Sequence, residues 1–432
     1  MTMVDIMIMP TNPPFLPIIL LLILHYLLCD VVAAFEVPIP PSAAEIRASV
    51  VLPKPQLLQP VPVTQQVLLR SGTTAEIITC LPHQSSSLPS SQFDTKSFFS
   101  QLFYSFAGND KKLKQQPPGF VGSSTSTDEK PVLAFIHGSF HAAWCWSEHY
   151  MPYFASLGYA TVALSLQGTG GTPPTESGAT KVKIQNHVDD LNAFLIGLSD
   201  VDGDDTEEGN LELKLGKSPR IVLIGHSFGG LAIMKWLEQY YDNDVVVDDD
   251  DQGGDEMIGR RNKRINLAGI SLLCSVPPSG NGKMTTRFLL RSPIDSWKIT
   301  AGFVMKKAIT DKSICRTLFF DDSISEEEIE QYQQYFKRDT IATIDLIDLG
   351  KKLPSARADR RSGGAPFVDK LPSPSLVVAA ADDFIVDLEG SKECARYFGL
   401  DDPIIVDSPH DVMLGQKWKN GADAILDWLH RL

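Results

Sequence analysis

From Pro131 onward, short apolar runs alternate with segments of helical periodicity. The runs are apolar throughout rather than alternating with polar residues, as is typical of strands buried on both faces of a parallel sheet. Residues 130–432 are therefore predicted to form one α/β domain, a mostly parallel sheet with helices on both faces. Its predicted strands are Val132–Ile136, Ala160–Leu164, Ile221–Gly225, Ala268–Cys274, Leu376–Ala380 and Pro403–Val406.

Helical spacing is clearest at two places, where apolar residues recur every three or four positions. The interval 275–374 is the longest between strands, and it predicts a mostly helical lid inserted into the domain. It contains the helical segment from Ser325 to Phe336, for which Ser323 or Ser325 can serve as N-cap. The apolar faces of the two clearest helices are Ile184, Val188, Leu191 and Leu195, and Ile425, Trp428, Leu429 and Leu432.

Two targeting segments are predicted at the N-terminus. Residues 1–34 contain a short apolar run that ends in small residues, which favours a signal peptide cleaved after Ala34 over a retained anchor. Residues 35–62 are rich in Pro and Ala and are predicted to be a transit or linker segment. The junction AAFEVP resembles that of bipartite presequences in algae with secondary plastids, which implies a plastid destination. The alternatives are ordinary secretion of the protein and its retention in a membrane through residues 17–34.

Residues 63–129 are predicted to precede the α/β domain as a separate segment. Two apolar runs flank Ser71-Gly72 within Gln66–Leu81, a pattern that predicts a β-hairpin. Residues 84–129 are dominated by Ser, Gln, Lys, Gly and Pro around one aromatic island. A loose low-complexity insertion is therefore predicted between the hairpin and the domain.

Acidic residues dominate the charge of the chain, whose 432 residues have a net charge of −14. Residues 200–208 hold six acids and residues 242–256 hold eight, with no base, so the rest of the chain is neutral overall. No nucleic-acid partner is expected, because no basic face is available for phosphates. Neither segment has the glycine and glutamate spacing of a calcium loop, so both are predicted to be solvated insertions. The six cysteines include no CxxC pair, which excludes a zinc ribbon.

The sequence GHSFGG directly follows the predicted strand Ile221–Gly225 and precedes a helical pattern. This is G-x-S-x-G in the strand–turn–helix context of a nucleophile elbow. A serine at so sharp a turn needs small neighbours, which Gly225 and Gly229 provide. The amides at the start of the following helix favour a developing negative charge. Ser227 is therefore the predicted nucleophile.

A serine hydroxyl needs a base, and the base needs an orienting carboxylate, in the chain order Ser, acid, His. Only His410 and His430 follow Ser227 in the chain. His430 lies in the C-terminal helical pattern, whereas His410 follows the last predicted strand, so His410 is the predicted base. Asp382 and Asp383 both follow the preceding strand and are candidates for the acid. The nearby Asp387 is predicted to be the N-cap of the next helix.

A tetrahedral intermediate needs two backbone N–H donors, an oxyanion hole. The amide of Phe228, directly after the nucleophile, is predicted to be one of them. The other is predicted to be the amide of Ser139, in the loop after the first strand, where Gly138 allows the turn. His137 precedes the acid in chain order, so no catalytic role is expected for it. His141 and His149 are expected to be pocket-wall or helix residues.

Five segments, HGSFHAAWCW, LSLQGTGGTPP, GHSFGG, AAADDFIVD and SPHDVML, occur in the order and spacing of the α/β-hydrolase fold superfamily. Over residues 131–432 the chain resembles its AB hydrolase-1 group, and it is similar to the plastid-type members of plants and algae. The segment HGxxHxAWxW resembles plant methylesterases and hydroxynitrile lyases. In this family the acid directly precedes a residue-Ile-Val tripeptide, which favours Asp383 over Asp382. The resemblance also implies that the protein uses no metal and no organic cofactor.

The resemblance and the motifs together predict a serine hydrolase that cleaves a carboxylic ester, lipid-like or a prenyl or methyl ester, through an acyl-enzyme. The partner is then a small-molecule ester, and the apolar lid residues Phe303, Val304 and Leu318–Phe320 favour an apolar one. Membrane contact is expected only through the lid or through an uncleaved segment 17–34. The alternatives are a hydroxynitrile-lyase-like enzyme that uses the triad as a base, and a non-catalytic binding protein. The intact Ser, Asp and His argue against the latter.

Overall fold

A computed structural model of the chain describes residues 60–82, 130–199, 219–241 and 265–432, apart from Val304 and Ser373. The predicted signal peptide, nearly all of the transit segment, the low-complexity insertion and both acidic segments lie outside the described residues. Within those ranges, no helix combines the length and the apolar character that crossing a membrane requires.

The central element is an eight-stranded sheet in the order β1-β2-β4-β3-β6-β7-β9-β10. It is parallel from β4 to β10, and β1 and β2 are antiparallel. All six predicted strands are confirmed to within three residues at each end. The strands are β1 (Val63–Leu68), β2 (Thr74–Cys80), β3 (Val132–Ile136), β4 (Thr161–Leu164), β5 (Lys181–Val182), β6 (Ile221–His226), β7 (Leu267–Leu273), β8 (Thr343–Ile344), β9 (Leu376–Asp382) and β10 (Ile404–Pro409).

The hairpin β1–β2 forms as predicted, but its assignment to a segment ahead of the domain is wrong. Strand β2 pairs with β4, with Ile77 opposite Leu164 and Cys80 opposite Thr161, so the hairpin extends the main sheet. The described residues belong to one compact unit. The apolar residues of β2 are buried in that sheet, which the long polar segment between β2 and β3 conceals in the sequence.

Helices cover both faces of the sheet. Leu133 and Phe135 of β3 pack with residues of α1, α2 and α11, whereas Ala134 and Ile136 pack with residues of α3, α4 and α10. This alternation follows from the two-residue period of a strand. The helices are α1 (Trp144–Ser147), α2 (Tyr150–Ser156), α3 (Ile184–Ser199), α4 (Phe228–Trp236), α5 (Asn281–Arg291), α6 (Pro293–Phe303), α7 (Lys312–Phe319), α8 (Glu326–Arg338), α9 (Leu346–Lys351), α10 (Leu388–Tyr397) and α11 (Trp418–Leu429).

The lid consists of α5 to α9, between β7 and β9, as predicted for the interval 275–374. Ser325, rather than Ser323, is the N-cap of α8, where its hydroxyl accepts from the Glu328 amide and the Glu328 carboxylate accepts from the Ser325 amide. Short strands β5 and β8 pair in parallel and connect the lid to the chain that follows β4. The lid is thereby held over the carboxyl ends of the central strands, where ligands bind in open α/β sheets.

Candidate active site

Ser227 stands at the turn between β6 and α4, and its backbone is strained. Its φ of 52° and ψ of −119° lie where a residue with a side chain is rarely found. Such strain is typical of a nucleophile elbow, which lifts a serine hydroxyl above the end of the sheet. The elbow geometry predicted for GHSFGG is therefore present.

Two glycines allow the segments around Ser227 to approach each other. A Cβ at Gly229 would overlap the carbonyl oxygens of Ile136 and His137, so α4 packs directly against the end of β3. A Cβ at Gly138 would lie only 2.7 Å from the Cβ of Ser227. The loop after β3 therefore contacts the elbow at the position where an oxyanion hole is needed.

His410 and Asp383 form a direct pair at the carboxyl ends of β10 and β9. The Nδ1 atom of His410 lies 2.9 Å from both carboxylate oxygens of Asp383, and both side chains are almost fully buried. The backbone holds the carboxylate in this orientation, because the amides of Ile385 and Val386 each donate to Oδ1 at 2.8 Å. The tripeptide that favoured Asp383 in the sequence thus supplies the amides that orient it.

The other acids and the second histidine are placed elsewhere. Asp382 is the last residue of β9, with a side chain 62% exposed and 3.8 Å from the ammonium of Lys417. Asp387 is the N-cap of α10, as predicted, and accepts from the amide of Gly390. His430 is exposed at the end of α11, which ends at Leu429. Of the two competing aspartates, only Asp383 contacts His410.

The elbow and the His410 loop meet through His226, which directly precedes Ser227. Its Nε2 donates to the carbonyl oxygen of His410 at 3.0 Å, and the two ring centroids are 4.8 Å apart. This contact joins the predicted nucleophile and the predicted base at one edge of the sheet. The loops that carry His410 and Asp383 therefore lie beside the elbow that carries Ser227.

Electrostatics favour a protonatable His410 and a neutral His226. Burial alone would lower the pKa of His410, but the charge of Asp383, its hydrogen bond and the nearby Asp411 raise it above the ordinary 6.5. Burial, together with His410 itself, holds the pKa of His226 well below its ordinary value. Burial and Asp383 raise the pKa of the Cys274 thiol, so it stays protonated beside the carboxylate.

The loop after β3 is fixed by its histidines. The amide of Leu166 donates to Nε2 of His137 at 2.9 Å, so the proton of that ring is on Nδ1, which donates to the Gly138 carbonyl at 2.7 Å. Burial lowers the pKa of His137 to about 4, so the ring stays neutral. Because the two ends of a trans peptide point in opposite directions, this bond turns the Ser139 amide away from His137. Within the described residues, neither the Ser139 amide nor the Phe228 amide donates a hydrogen bond.

Aromatic side chains from the lid cover this edge of the sheet. The ring of Phe319 lies 6.4 Å from that of His410, and Phe140 contacts both Phe319 and Phe303 at 5.7 and 5.1 Å. Phe336 of α8 adds a fourth ring, 5.0 Å from Phe319. The face of the lid above the candidate triad is therefore apolar.

Four residues near the triad were not singled out as functional from the sequence: His141, His226, Cys274 and Asp411. Their closeness depends on the tertiary pairing of loops that are far apart in the chain. Two of them carried a sequence signal, since Asp411 directly follows the predicted base and His226 directly precedes the predicted nucleophile. Two groups of side chains in the described part of the chain bring possible metal ligands within 4.8 Å, and both include His410. In each, His410 already serves the bond to Asp383, so hydrogen bonding accounts for the clustering.

Comparison with known proteins agrees with this architecture. The model of the alpha/beta hydrolase family matches residues 133–418. Two curated relatives are similar over short stretches: Methylesterase 2 of Arabidopsis thaliana (26% identical over 113 residues, 26% of this chain and 36% of the relative) and Norfluorocurarine synthase 1 of Strychnos sp (29% over 110 residues, 25% and 33%). This chain thus spans about a third of the length of these relatives.

Among solved structures, epoxide hydrolase I of potato (Solanum tuberosum) is similar, with a TM-score of 0.49 and 14% identity over 86% of this chain and 100% of that one. The family model covers well over half of the chain and includes the elbow, both loops and the lid. The chain belongs to the alpha/beta hydrolase family.

Proposed function

We propose that the protein is a serine hydrolase that cleaves a carboxylic ester through Ser227, His410 and Asp383. The observation that carries this proposal is the buried pair of His410 and Asp383, 2.9 Å apart, joined through His226 to a strained serine at the elbow. A serine activated by a histidine with an orienting carboxylate is suited to acyl transfer.

In the proposed reaction, the Ser227 oxygen attacks the ester carbonyl while Nε2 of His410 accepts the hydroxyl proton. Asp383 stabilises the resulting imidazolium through the bond to Nδ1. The amides of Ser139 and Phe228 bind the oxygen that becomes negative, and His410 returns the proton to the leaving alcohol. Water, activated by the same histidine, then releases the acid from Ser227 and regenerates the enzyme.

We propose an apolar ester as the substrate. Support comes from the cluster of four rings, Phe140 of the loop after β3 and Phe303, Phe319 and Phe336 of the lid, in which Phe319 lies beside His410. An apolar acyl or alcohol group gains from burial against such a wall, whereas a charged group would be desolvated without a partner. Short methyl esters and longer lipid-like esters share this chemistry and are distinguished by chain length.

The test is labelling of the purified protein with a fluorophosphonate probe, together with hydrolysis of p-nitrophenyl esters of increasing acyl length. Ser227→Ala should lose labelling and at least ~10⁴-fold in kcat, as expected when a triad nucleophile is removed. Ser271→Ala removes a buried hydroxyl from the neighbouring strand β7 and serves as the matched control. Wild-type protein that neither labels nor turns over any ester would favour a non-catalytic binding protein instead.

We further propose that the chain enters a plastid through a bipartite presequence. The support is the sequence alone, an apolar run followed by AAFEVP and a Pro- and Ala-rich stretch. Residues 1–70 fused to a fluorescent protein should reach the plastid in an alga with a secondary plastid. Fluorescence confined to the endoplasmic reticulum or the medium would indicate ordinary secretion or anchoring, without affecting the proposed chemistry.

A further inference from the structure

His141 and Asp411 form a second histidine–carboxylate pair beside His410 and Asp383. The Nε2 atom of His141 lies 2.9 Å from Oδ2 of Asp411, and both side chains are fully buried. The other ring nitrogen, Nδ1, lies 2.8 Å from the carbonyl oxygen of Ser139. The pair therefore connects the predicted oxyanion loop after β3 to the residue that directly follows His410.

Both partners of the His141 ring are hydrogen-bond acceptors. A carbonyl oxygen cannot donate, so Nδ1 must carry a proton to bond Ser139. A second proton must lie between Nε2 and the carboxylate of Asp411. The pair thus holds two protons, one on Nδ1 and one between Nε2 and the Asp411 carboxylate.

The turn that this pair holds is strained. Phe140, between Ser139 and His141, has a φ of 70°, in the left-handed region that a phenylalanine rarely adopts. The carbonyl oxygen of Ser139 accepts a hydrogen bond from His141, and the carbonyl oxygen of Gly138 accepts one from His137. The bond from His137 sets the direction of the Ser139 N–H, and the bond from His141 fixes the next peptide plane, so Ser139 is held on both sides.

The surroundings leave little room for water to replace these bonds. The His141 ring stacks on Trp144 and meets the edges of Phe319 and Phe336 at centroid distances of 5.7 and 4.9 Å. On the other side, the backbone amide of Asp411 donates to the Phe319 carbonyl at 3.0 Å. An ion pair in such an apolar setting costs desolvation, and a well-packed apolar pair would stabilise the fold as well.

We infer that His141 and Asp411 are positioning residues, which hold the Ser139 amide beside Ser227 in fixed relation to His410. The inference rests on the proposed ester hydrolysis for its kinetic consequence. Neither side chain contacts the reacting atoms. Their loss should weaken binding of the transition state and leave binding of the ester itself little changed.

The kinetic test compares His141→Phe, Asp411→Asn and the control His149→Phe on p-nitrophenyl butyrate. His141→Phe keeps the aromatic packing and removes both bonds, and it should lower kcat by about 10- to 100-fold with KM nearly unchanged, since outright loss of an oxyanion donor costs ~10²–10³. The affinity for a trifluoromethyl ketone, which forms a tetrahedral adduct with the serine, should fall by the same factor. Asp411→Asn should retain most activity, because its amide can donate to Nε2 while Nδ1 keeps its proton.

His149 follows His141 in the same segment of chain, and its ring stacks on Trp418 at a centroid distance of 4.9 Å. It has no hydrogen bond to the oxyanion loop. Its substitution should leave kcat and ketone affinity unchanged. A His141→Phe variant with normal kcat, or one whose KM rises while kcat is kept, would overturn the positioning role. Equal losses in the His149 variant would also overturn it, because they would indicate a general effect of removing a histidine.

A second measurement does not depend on activity or on the variants folding. In wild-type protein with ¹⁵N-labelled histidine rings, Nδ1 of His141 should carry a proton that exchanges slowly with water. An Nδ1 without a proton would overturn the inference even in an active esterase. A protonated Nδ1 in a protein that hydrolyses no ester would instead contradict the proposed function and leave the pair intact.

Discussion

The Nδ1 atom of His410 lies 2.9 Å from both carboxylate oxygens of Asp383, so the ring faces the carboxylate symmetrically. Two backbone amides donate hydrogen bonds to the Asp383 carboxylate. His226 donates a hydrogen bond to the backbone carbonyl oxygen of His410. The orientation of both side chains is thus set by the loops after β9 and β10.

Replacing the acid should therefore be far more damaging than replacing its neighbour. We expect Asp383→Asn to fold normally and to lose about 10⁴-fold in kcat, because an amide no longer selects the productive tautomer of His410. Asp382→Asn is the matched control, since its side chain is 62% exposed and lies 3.8 Å from Lys417. Ester hydrolysis by the two purified variants measures the difference. A larger loss in the Asp382 variant would reverse the assignment.

The pH profile should report the raised pKa of His410. The ring must be neutral to accept the Ser227 proton, so kcat/KM should fall as the pH drops through a pKa above the ordinary 6.5. Asp411 contributes to this rise, so Asp411→Asn should shift the acid limb to lower pH while the variant stays active. His226, 4.8 Å away, should not add a second limb, because its pKa is held well below the ordinary value. An unshifted limb in the Asp411 variant would contradict this account.

Sequence periodicity and motif context predicted most of the fold. Buried parallel strands are apolar throughout, so the six parallel strands of the main sheet stand out against the amphipathic helices. The sequence predicts the hairpin β1–β2 but not its place in the main sheet, because the low-complexity residues 84–129 separate it from β3. Pairing between β2 and β4 is a long-range contact, and no local pattern reveals it.

The candidate site was predictable where the chemistry demands a residue at a defined point of the chain. Ser227, Asp383 and His410 each directly follow a strand or end one, and strand ends are visible in the sequence. The roles of His141 and Asp411 were not predictable, because the two residues are 270 positions apart and meet only through tertiary packing. The sequence predicts His141 to be a pocket-wall or helix residue, whereas its ring bonds the backbone of the predicted oxyanion loop.

The close approach at Gly138 gives a further prediction. An added methyl group would lie 2.7 Å from the Cβ of Ser227 and 3.0 Å from Nδ1 of His226, so Gly138→Ala must push the oxyanion loop away from the elbow. A displacement of about 1 Å near the reacting atoms can cost ~10²-fold, so we expect a loss of that order in kcat. Gly282→Ala in α5, where nothing lies within 4 Å, should leave kcat unchanged. Equal kinetics in both variants would contradict the close approach.

A charged contact joins the lid to the loop after β9, which carries Asp383 and Asp387. Arg287 of α5 donates from Nε and from a terminal nitrogen to the two oxygens of Asp387, at 2.7 and 2.6 Å. Asp387 is 7% exposed and Arg287 27% exposed, so solvent screens the pair only in part. Burial opposes the charge on Asp387, but the bonds from Arg287 and the Gly390 amide outweigh it, and the pKa of Asp387 is lowered.

Removing this tie should destabilise the protein in a pH-dependent way. We expect Arg287→Met to lower the free energy of unfolding by about 1.5–3 kcal/mol at pH 7, the range for hydrogen bonds to charged groups, as measured by urea unfolding. A depressed carboxylate pKa contributes stability that is present above the unfolded value of about 3.9 and is lost as the pH falls through the lower folded value. The deficit should therefore be constant from pH 8 to about pH 5 and shrink only in stronger acid. Lys392→Met breaks an exposed pair with Glu389 on α10 and should cost less than about 1 kcal/mol. An equal cost for both variants would mean that Arg287 makes no special contribution to holding the lid.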